Sequence, residues 1–558
     1  MNRRTVDIPF AAYLLFAALW LGWQMFQGFS FLDIGMYMMG YRHFISDPYA
    51  SSYLGQWIMT YDVTGHLCQL FGVSTFMGLR VMHLLLVLLT QIIVYAFLRR
   101  YIDKRYIILG LFIATLAHYG SYTEITYNDY SAFLLMLSLI SFQRGVERDR
   151  WWLVGVAGMM AGVAVFFRVV NLTYVGIPIL SCLINLRWNI GMRPMKRIVA
   201  FYCGMLVGGA LVVGMLYAEG LLPVLQLTVA DITHISADKG DSHGMLVVMR
   251  SIYKLYTEVL GNMCAILLFA SIVYFALGRK RVREKGVLLG AGVVLMLFVM
   301  NFSFFSPNIT IALCVAGALA LFFVKRESVE ADLAHLVLMS MYLPLIMPVG
   351  SNAEPSFYGK ELCFLTLPLT VFVLMKMMPE KCSLINKHDA VSERFCRTEC
   401  FVLATLCFGF VFFNLAHKQM EDGNRKDCRY TINSKLTKGI FTTKDNAEMY
   451  NYLLQRVKPH VPSGSYMICN FSLPAVPVLD CRPWAVYSTV YSTDSMNDRY
   501  IQVAWQHTGK LPYVLLDCEC DLLGYDHILQ RLNEIKPYRK VWTDGRYELY
   551  KDIAAAAK

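Results

Sequence analysis

One carboxylate, Asp33, stands just beyond the first apolar segment of the chain. It opens the stretch FLDIGMYMMGYRHFISDP, which is polar and rich in aromatic residues. A carboxylate is costly to hold next to lipid, so this position indicates either a site at the membrane surface or an ordinary surface charge.

Aromatic and basic side chains follow Asp33 in the same stretch. Tyr37 and Arg42 are the two that we single out for substrate binding. Aromatic residues at this density usually form the belt at a membrane–water interface. The rings could also stack on the apolar face of a sugar, and Arg42 could bind an anion through its forked donors.

Two later segments carry further candidates. Glu124 and Asp129 lie in a short outer loop, Asp129 within TYNDYSAFLL and Glu124 two residues before it, and both are carboxylates that could act chemically. Arg168 lies within FFRVVNL, with Asn171 close behind it. An arginine there either extends to the interface or faces a wet cavity that holds an anion, and the apolar run that follows favours the cavity.

The polar loop over residues 219–250 combines histidines with aspartates. His234 and His243 could bind a divalent metal ion, but their spacing matches no standard ligand pattern, and a solvated loop is the simpler interpretation. The further cations that could contact a phosphate, in this loop and in GSNAEPSFYGKE, are Lys239, Arg250 and Lys360.

Several familiar motifs are absent from the sequence. It contains no GxxxxGK[ST] and no GxGxxG after a strand, which argues against nucleotide coupling and against a dinucleotide cofactor. It also lacks HExxH and GxSxG, so the common zinc-hydrolase and serine-hydrolase patterns are missing. The sequence therefore implies no certain cofactor, with a divalent metal ion as the one alternative.

The composition indicates a membrane protein. Hydrophobic residues make up 56% of the 558 residues and charged residues only 16%, against about 25% charged in soluble domains. The net charge of +11 does not indicate a nucleic-acid partner, because the basic residues form short clusters between apolar runs. Membrane lipids are thus the expected surroundings.

Runs of the length that a bilayer requires predict about thirteen transmembrane helices. The predicted segments are 8–27, 78–98, 106–120, 129–143, 151–167, 172–186, 198–218, 251–277, 286–305, 309–324, 333–349, 361–378 and 398–416. Basic residues concentrate in alternate loops, which predicts a cytoplasmic amino terminus, an outer loop over 28–77 and an extracytoplasmic tail. The expected location is an integral, multi-pass position, of the kind found in a bacterial inner membrane.

The tail changes character after residue 416. Residues 417–558 alternate helical and strand patterns, which predicts a small α/β domain outside the membrane. The expected architecture is therefore an all-α polytopic membrane domain, residues 1–416, followed by an extracytoplasmic α/β domain.

This pattern resembles the membrane glycosyltransferases of the GT-C fold, a superfamily that includes protein O-mannosyltransferases and lipid A aminoarabinose transferases. The resemblance covers the order of the whole chain and rests on FLDIGMY, TYNDYSAFLL, FFRVVNL and GSNAEPSFYGKELCFLTLPL. The sequence departs from the mannosyltransferases at Asp33, where Asp-Ile replaces their Asp-Glu pair.

The resemblance implies a sugar donor of the polyprenyl-phosphate type and inverting transfer on the outer face. The acceptor would be a lipid-linked glycan, a lipid or a protein. Asp33 would be the general base, and the cations named above would stabilise the departing phosphate.

Three other functions fit parts of the pattern. A polysaccharide polymerase or ligase would also use lipid-linked sugars, but usually has its largest outer loop between helices. A transporter or lipid flippase would need charges within several helices, and these are scarce here. A plain anchor for the tail would not need so many helices.

Overall fold

The computed structural model describes residues 7–29, 33–49, 57–118, 123–188, 194–237, 245–301, 309–346, 363–381, 389–416, 419–420, 422–484, 494–520 and 525–553. Helices dominate as far as residue 416, and a small sheet follows. The membrane-rich part contains the helices α1 Ile8–Gln24, α2 Asp33–His43, α3 Ile58–Phe71, α4 Phe76–Leu98, α5 Lys104–Ala117, α6 Tyr127–Glu147, α7 Trp151–Phe167, α8 Ile177–Trp188, α9 Pro194–Ala218, α10 Leu222–Ala237, α11 Met245–Leu277, α12 Val282–Asn301, α13 Ile309–Leu321, α14 Ala331–Ile346, α15 Cys363–Phe372, α16 Met378–Lys381 and α17 Asp389–Ala416.

The apolar segments predicted from the sequence coincide with helices of this bundle. Among the described residues, five helical stretches are long and apolar enough to cross a membrane, and five shorter apolar helices accompany them. The chain is thus a mostly helical polytopic membrane protein, while the exact number of crossings stays a prediction. The helices α2, α3 and α10 lie in loops for which no helix was predicted.

Small residues bring α7 and α9 into direct backbone contact. A Cβ on Gly158 would lie 1.9 Å from the carbonyl oxygen of Phe201, and one on Gly204 would lie 1.9 Å from that of Gly155. Lipid tails are as apolar as the side chains, so helices in a bilayer associate through such close van der Waals packing. This contact fixes α7, and with it the residues that follow its end.

Polar contacts mark one end of the bundle, which we call the basic end. Lys104 Nζ lies 3.3 Å from Asp7 Oδ2 at the start of α1, and Arg197 Nη2 lies 2.9 Å from Asp149 Oδ1. The guanidinium of Arg144 lies over the ring of Phe97, 5.2 Å from its centroid. Basic clusters from separate loops therefore share one end of the bundle, as an alternating topology requires.

The tail contains the elements α18 Lys444–Arg456, α19 Ala475–Val478, α20 Asp494–Thr508 and α21 Tyr525–Ile535, with the strands β1 Gln419–Met420, β2 Gly423–Asn424, β3 Tyr466–Cys469, β4 Arg482–Pro483, β5 Tyr513–Asp517, β6 Tyr538–Thr543 and β7 Tyr547–Asp552. The strands β1 and β2 form a short antiparallel pair. The other five form one sheet in the order β4-β3-β5-β7-β6. The pairs β3–β4 and β3–β5 are parallel, and β7 runs antiparallel to β5 and β6.

Alternation along β5 builds two cores. Val514 points to a cluster with Ile528 and Leu532 of α21. Its neighbour Leu515 belongs to the opposite cluster, which includes Tyr450 of α18. Successive side chains of a strand point to opposite faces, so one strand serves both layers. The α/β character predicted for the tail agrees with this sheet, and α20 is an element that the sequence did not predict.

Candidate functional site

The other end of the bundle, which we call the site end, holds Arg80, Glu124 and Asp129. Arg80 lies in the first turns of α4, and its Nε donates to Glu124 Oε1 at 2.6 Å. Both side chains are fully buried. The remaining donors of Arg80 bind backbone carbonyls after α1, those of Met25 and Gly28. This ion pair therefore joins the exit of α1 to α4 and to the loop before α6.

Asp129 is engaged on both carboxylate oxygens. Its Oδ2 accepts the backbone N–H of Thr126 at 2.7 Å, while Thr126 Oγ1 accepts from the backbone of Asn128, so the two residues form a capping box at the start of α6. Its Oδ1 lies 2.8 Å from Nδ1 of His83. Asp129 thus lies against a buried imidazole, whose ring stacks on His118 with centroids 5.7 Å apart.

Arg80 and His83 were not among the residues predicted for the site. They occupy neighbouring turns of α4, within an otherwise apolar helix. Ionisable residues inside an apolar helix are themselves a signal of a functional or structural polar cluster. That signal was available in the segment FMGLRVMHLLLVLL.

The first outer loop packs on this cluster through α2. Tyr41 Oη donates to the carbonyl of Ile125 at 2.7 Å. Tyr37 is buried, and its ring lies 6.2 Å from that of Tyr127 between centroids. Trp57 stacks on Tyr127 with centroids 5.2 Å apart. The aromatic residues of this loop therefore form a packed layer over the start of α6.

Asp33 is the first residue of α2, and its side chain lies outside the described part of the structure. Arg42 is half-buried in the last turn of α2, where its charge complements the helix dipole. The backbone of Asp33 lies near the site end of the bundle, because α2 begins shortly after Met25 and Gly28, whose carbonyls bind Arg80.

The junction after α7 reaches the same place. Asn171 Nδ2 donates to Ser131 Oγ at 2.9 Å and to the carbonyl of Ala164 at 2.7 Å. The rings of Tyr130 and Phe167 lie 5.0 Å apart. Arg168 is only 5% exposed, so protein encloses its side chain. Residues 125–131, around the start of α6, therefore contact both α2 and the Arg168–Asn171 junction.

The remaining candidates are placed less completely. Lys239, His243 and Lys360 lie outside the described residues, and so does the side chain of His234. Arg250 is exposed on α11, a helix that packs against α12, α13 and α17. Those helices carry none of the other candidates.

A different trio could hold a metal ion. The ligand atoms of Asp62, His66 and Glu219 all lie within 4.8 Å of one another. Asp62 is buried, and burial together with the neighbouring Glu219 raises the pKa of its carboxyl to about 6. Carboxylate oxygens and an imidazole nitrogen are ordinary ligands of zinc and related ions. The i, i+4 spacing of Asp62 and His66 on α3 was the signal available in the sequence.

A small, mostly apolar space lies beside Asp129 within the bundle. It is lined by Val87 and Thr90 of α4, Ala132 and Met136 of α6, and Phe364 of α15.

Comparison with known families agrees with the resemblance seen in the sequence. Residues 54–217 match the model of the dolichyl-phosphate-mannose-protein mannosyltransferase family. The comparison with curated proteins gives no match. The matched segment runs from α3 to α9 and contains Arg80, Glu124, Asp129, Arg168 and Asn171. Over this segment the chain is similar to GT-C membrane glycosyltransferases, which take their sugar from a lipid-linked donor.

Proposed function

We propose that the protein transfers a sugar from a polyprenyl-phosphate donor to an acceptor on the extracytoplasmic face of the membrane, with inversion. The acceptor is a lipid-linked glycan, a lipid or a protein. The observation that carries this proposal is the convergence at the site end. There the segment around the start of α6 contacts α2, which begins at Asp33, through Ile125, and the Arg168–Asn171 junction through Ser131.

The chemistry assigns a distinct task to each charged group. The acceptor oxygen attacks the anomeric carbon from the side opposite the phosphate, the bond between that carbon and the phosphate oxygen breaks, and the configuration inverts. Asp33 accepts the acceptor proton as general base. The polyprenyl phosphate leaves with increased negative charge, which the buried Arg168 stabilises.

The other predicted cations fit a secondary role in this scheme. Arg42, Lys239, Arg250 and Lys360 would attract the phosphate and guide the donor into the site. Tyr37 packs among other rings, so it would shape the wall of the sugar pocket and hold α2 in place. Asn171 would fix the backbone beside Arg168 through its bonds to Ser131 and Ala164.

The decisive experiment replaces Asp33 by Asn. This change keeps the size of the side chain but removes its basicity, and we expect transfer to fall by about 10²- to 10⁴-fold with normal expression and unchanged donor binding. Transfer is measured as the release of radiolabel from a panel of polyprenyl-phosphate sugars, mannose first, in native membranes.

Asp47→Asn is the matched control in the same loop. Asp47 accepts a hydrogen bond from Tyr466 Oη, and an amide oxygen can accept the same bond, so this variant should transfer at close to the normal rate. Near-normal transfer by Asp33→Asn would exclude Asp33 as the base and turn attention to Glu124 and Asp129.

A further inference from the structure

The helix α2 and the tail share one hydrophobic core. This core unites α2 and α3 residues with α18 and the sheet, and it is separate from the main core of the helix bundle. Ile34 and Met39 of α2 belong to it together with Leu453, Met467 and Leu515 of the tail. The first outer loop is thus packed as part of the tail domain as well as on the bundle.

The tightest contact between α2 and the tail lies in the first turn of α2. A Cβ on Gly35 would stand 2.2 Å from the backbone nitrogen of Pro474 and 2.4 Å from the carbonyl carbon of Leu473. Both are backbone atoms, so the clash could not be relieved by moving a side chain. Only glycine lets α2 come this close to the tail, two residues after Asp33.

A second glycine fits the other side of the same helix. A Cβ on Gly40 would stand 2.0 Å from Cδ1 of the Tyr61 ring on α3. Glycine weakens a helix by roughly 0.5–1 kcal/mol relative to alanine, so two of them in a helix of 11 residues cost stability. Close approach on both sides is the structural reason for that cost.

Further contacts bracket α2 along the chain. Before it, the backbone N–H of Phe29 donates to Asp422 Oδ2 at 2.8 Å. After it, Tyr466 Oη donates to Asp47, and the ring of Tyr49 stacks on His507 with centroids 3.6 Å apart. The tail therefore holds the loop before, within and after α2.

We propose that the tail domain sets the position of Asp33 relative to the bundle, with Gly35 as the positioning residue at the contact. The inference rests on the proposed function, because it assumes that Asp33 acts in transfer. A base must stand within hydrogen-bond distance of the proton that it accepts, and a misplacement of about 1 Å can cost about 10²-fold in rate.

The test is Gly35→Ala in the full-length protein. The added methyl group forces the first turn of α2 away from Leu473–Pro474, so we expect kcat to fall at least tenfold. The affinity for polyprenyl-phosphate mannose, measured by titration of the purified protein, should change far less than kcat, because Arg168, the buried cation assigned to the phosphate, lies outside α2. If Gly35 had only a structural role, Gly35→Ala would lower the amount of folded protein, but kcat would not fall more than donor affinity in the protein that does fold.

Gly214→Ala is the matched control. Gly214 lies in α9, and a Cβ there meets nothing within 4 Å, so the same chemical change should leave kcat and affinity as they are. Should Gly35→Ala fail to accumulate, Tyr466→Phe tests the same interface by removing only the hydrogen bond to Asp47. It should also lower kcat at unchanged donor affinity.

A folded Gly35→Ala variant with wild-type kcat would overturn the inference. If only Tyr466→Phe can be measured, wild-type kcat in that variant would overturn it. Asp33→Asn in the same assay separates this result from failure of the proposed function. If Asp33→Asn is inactive while Gly35→Ala is normal, only the positioning role is wrong. If Asp33→Asn is active, Asp33 is not the base, and that part of the proposed function has failed whatever Gly35→Ala shows.

Discussion

At the scale of single residues, the candidate carboxylates differ in the contacts that their oxygens already make. Glu124 neutralises a fully buried arginine, and Asp129 caps a helix while contacting a histidine. A carboxylate held in this way contributes to the fold whether or not it also takes part in chemistry. We therefore expect that replacing Glu124 mainly lowers the stability of the fold and has a smaller effect on sugar transfer.

Glu124→Gln should destabilise the folded protein by roughly 3–5 kcal/mol, since it leaves the charge of Arg80 buried without its partner. Thermal unfolding of the purified protein in detergent measures this loss. The double variant Arg80→Met/Glu124→Met should lose less than the sum of the two single changes. A stable Glu124→Gln protein that no longer transfers sugar would instead assign Glu124 to the chemistry.

Arg168→Lys should weaken donor binding, because a lysine lacks the forked geometry of a guanidinium. Arg168→Gln should weaken it further, since the charge is gone. Titration with polyprenyl-phosphate mannose gives the affinities. Arg99→Gln, an exposed change at the basic end, is the control and should bind normally. Unchanged affinity in both Arg168 variants would remove Arg168 from the donor site.

At the scale of elements, α2 stands between the bundle and the tail, and its last turn carries a titratable group. His43 is half-buried beside Arg42 and Arg482, with Asp480 also near. Burial, followed by the two arginines, lowers the pKa of His43 from 6.5 to about 4, against the opposing effect of Asp480. The imidazole is therefore neutral in the folded protein at neutral pH.

This shift predicts an acid sensitivity of the contact. Between pH 6.5 and pH 4 the unfolded chain protonates His43 and the folded chain does not, so stability falls as the pH is lowered through this range. Between pH 7 and about pH 4.5, the unfolding temperature of His43→Gln should fall less than that of the wild type. His460→Gln, exposed in the tail, should behave like the wild type. Equal acid sensitivity of His43→Gln and the wild type would contradict the prediction.

At the scale of the whole molecule, the two ends of the bundle are chemically distinct. Basic loops gather at one end, and the tail contacts the other, where the backbone N–H of Phe76 donates to the carbonyl of Leu436 at 3.0 Å. Positive charge in short loops biases them to the cytoplasmic side. The site end and the tail would then face outward together.

A reporter that is active only outside the cytoplasm should therefore be active when fused at Lys558, and inactive when fused in the basic loop after Gly278. The reverse pattern would place the candidate site on the cytoplasmic face and contradict the proposed orientation. Cysteine labelling from outside at Ser463, a polar position in an exposed turn of the tail, provides an independent check.

The residue pattern alone predicted a membrane protein and most of its helices. Apolar runs of bilayer length leave few alternatives to a helix, because the backbone must satisfy its own hydrogen bonds in lipid. The clusters of basic residues could also be read from the sequence. Their spacing along the chain predicts which loops lie on the same side of the membrane. The strand and helix patterns of the tail predicted a small α/β domain for the same local reasons.

Which residues contact one another depends on the folded chain. The pair Arg80–Glu124 spans 44 positions in the chain, and the contact of Gly35 with Pro474 spans most of its length. Periodicity reports which face of a helix is buried but not what it is buried against. The α2 helix shows this limit most clearly: as a polar loop segment it carried no membrane signal, and its position depends on a domain that begins hundreds of residues later.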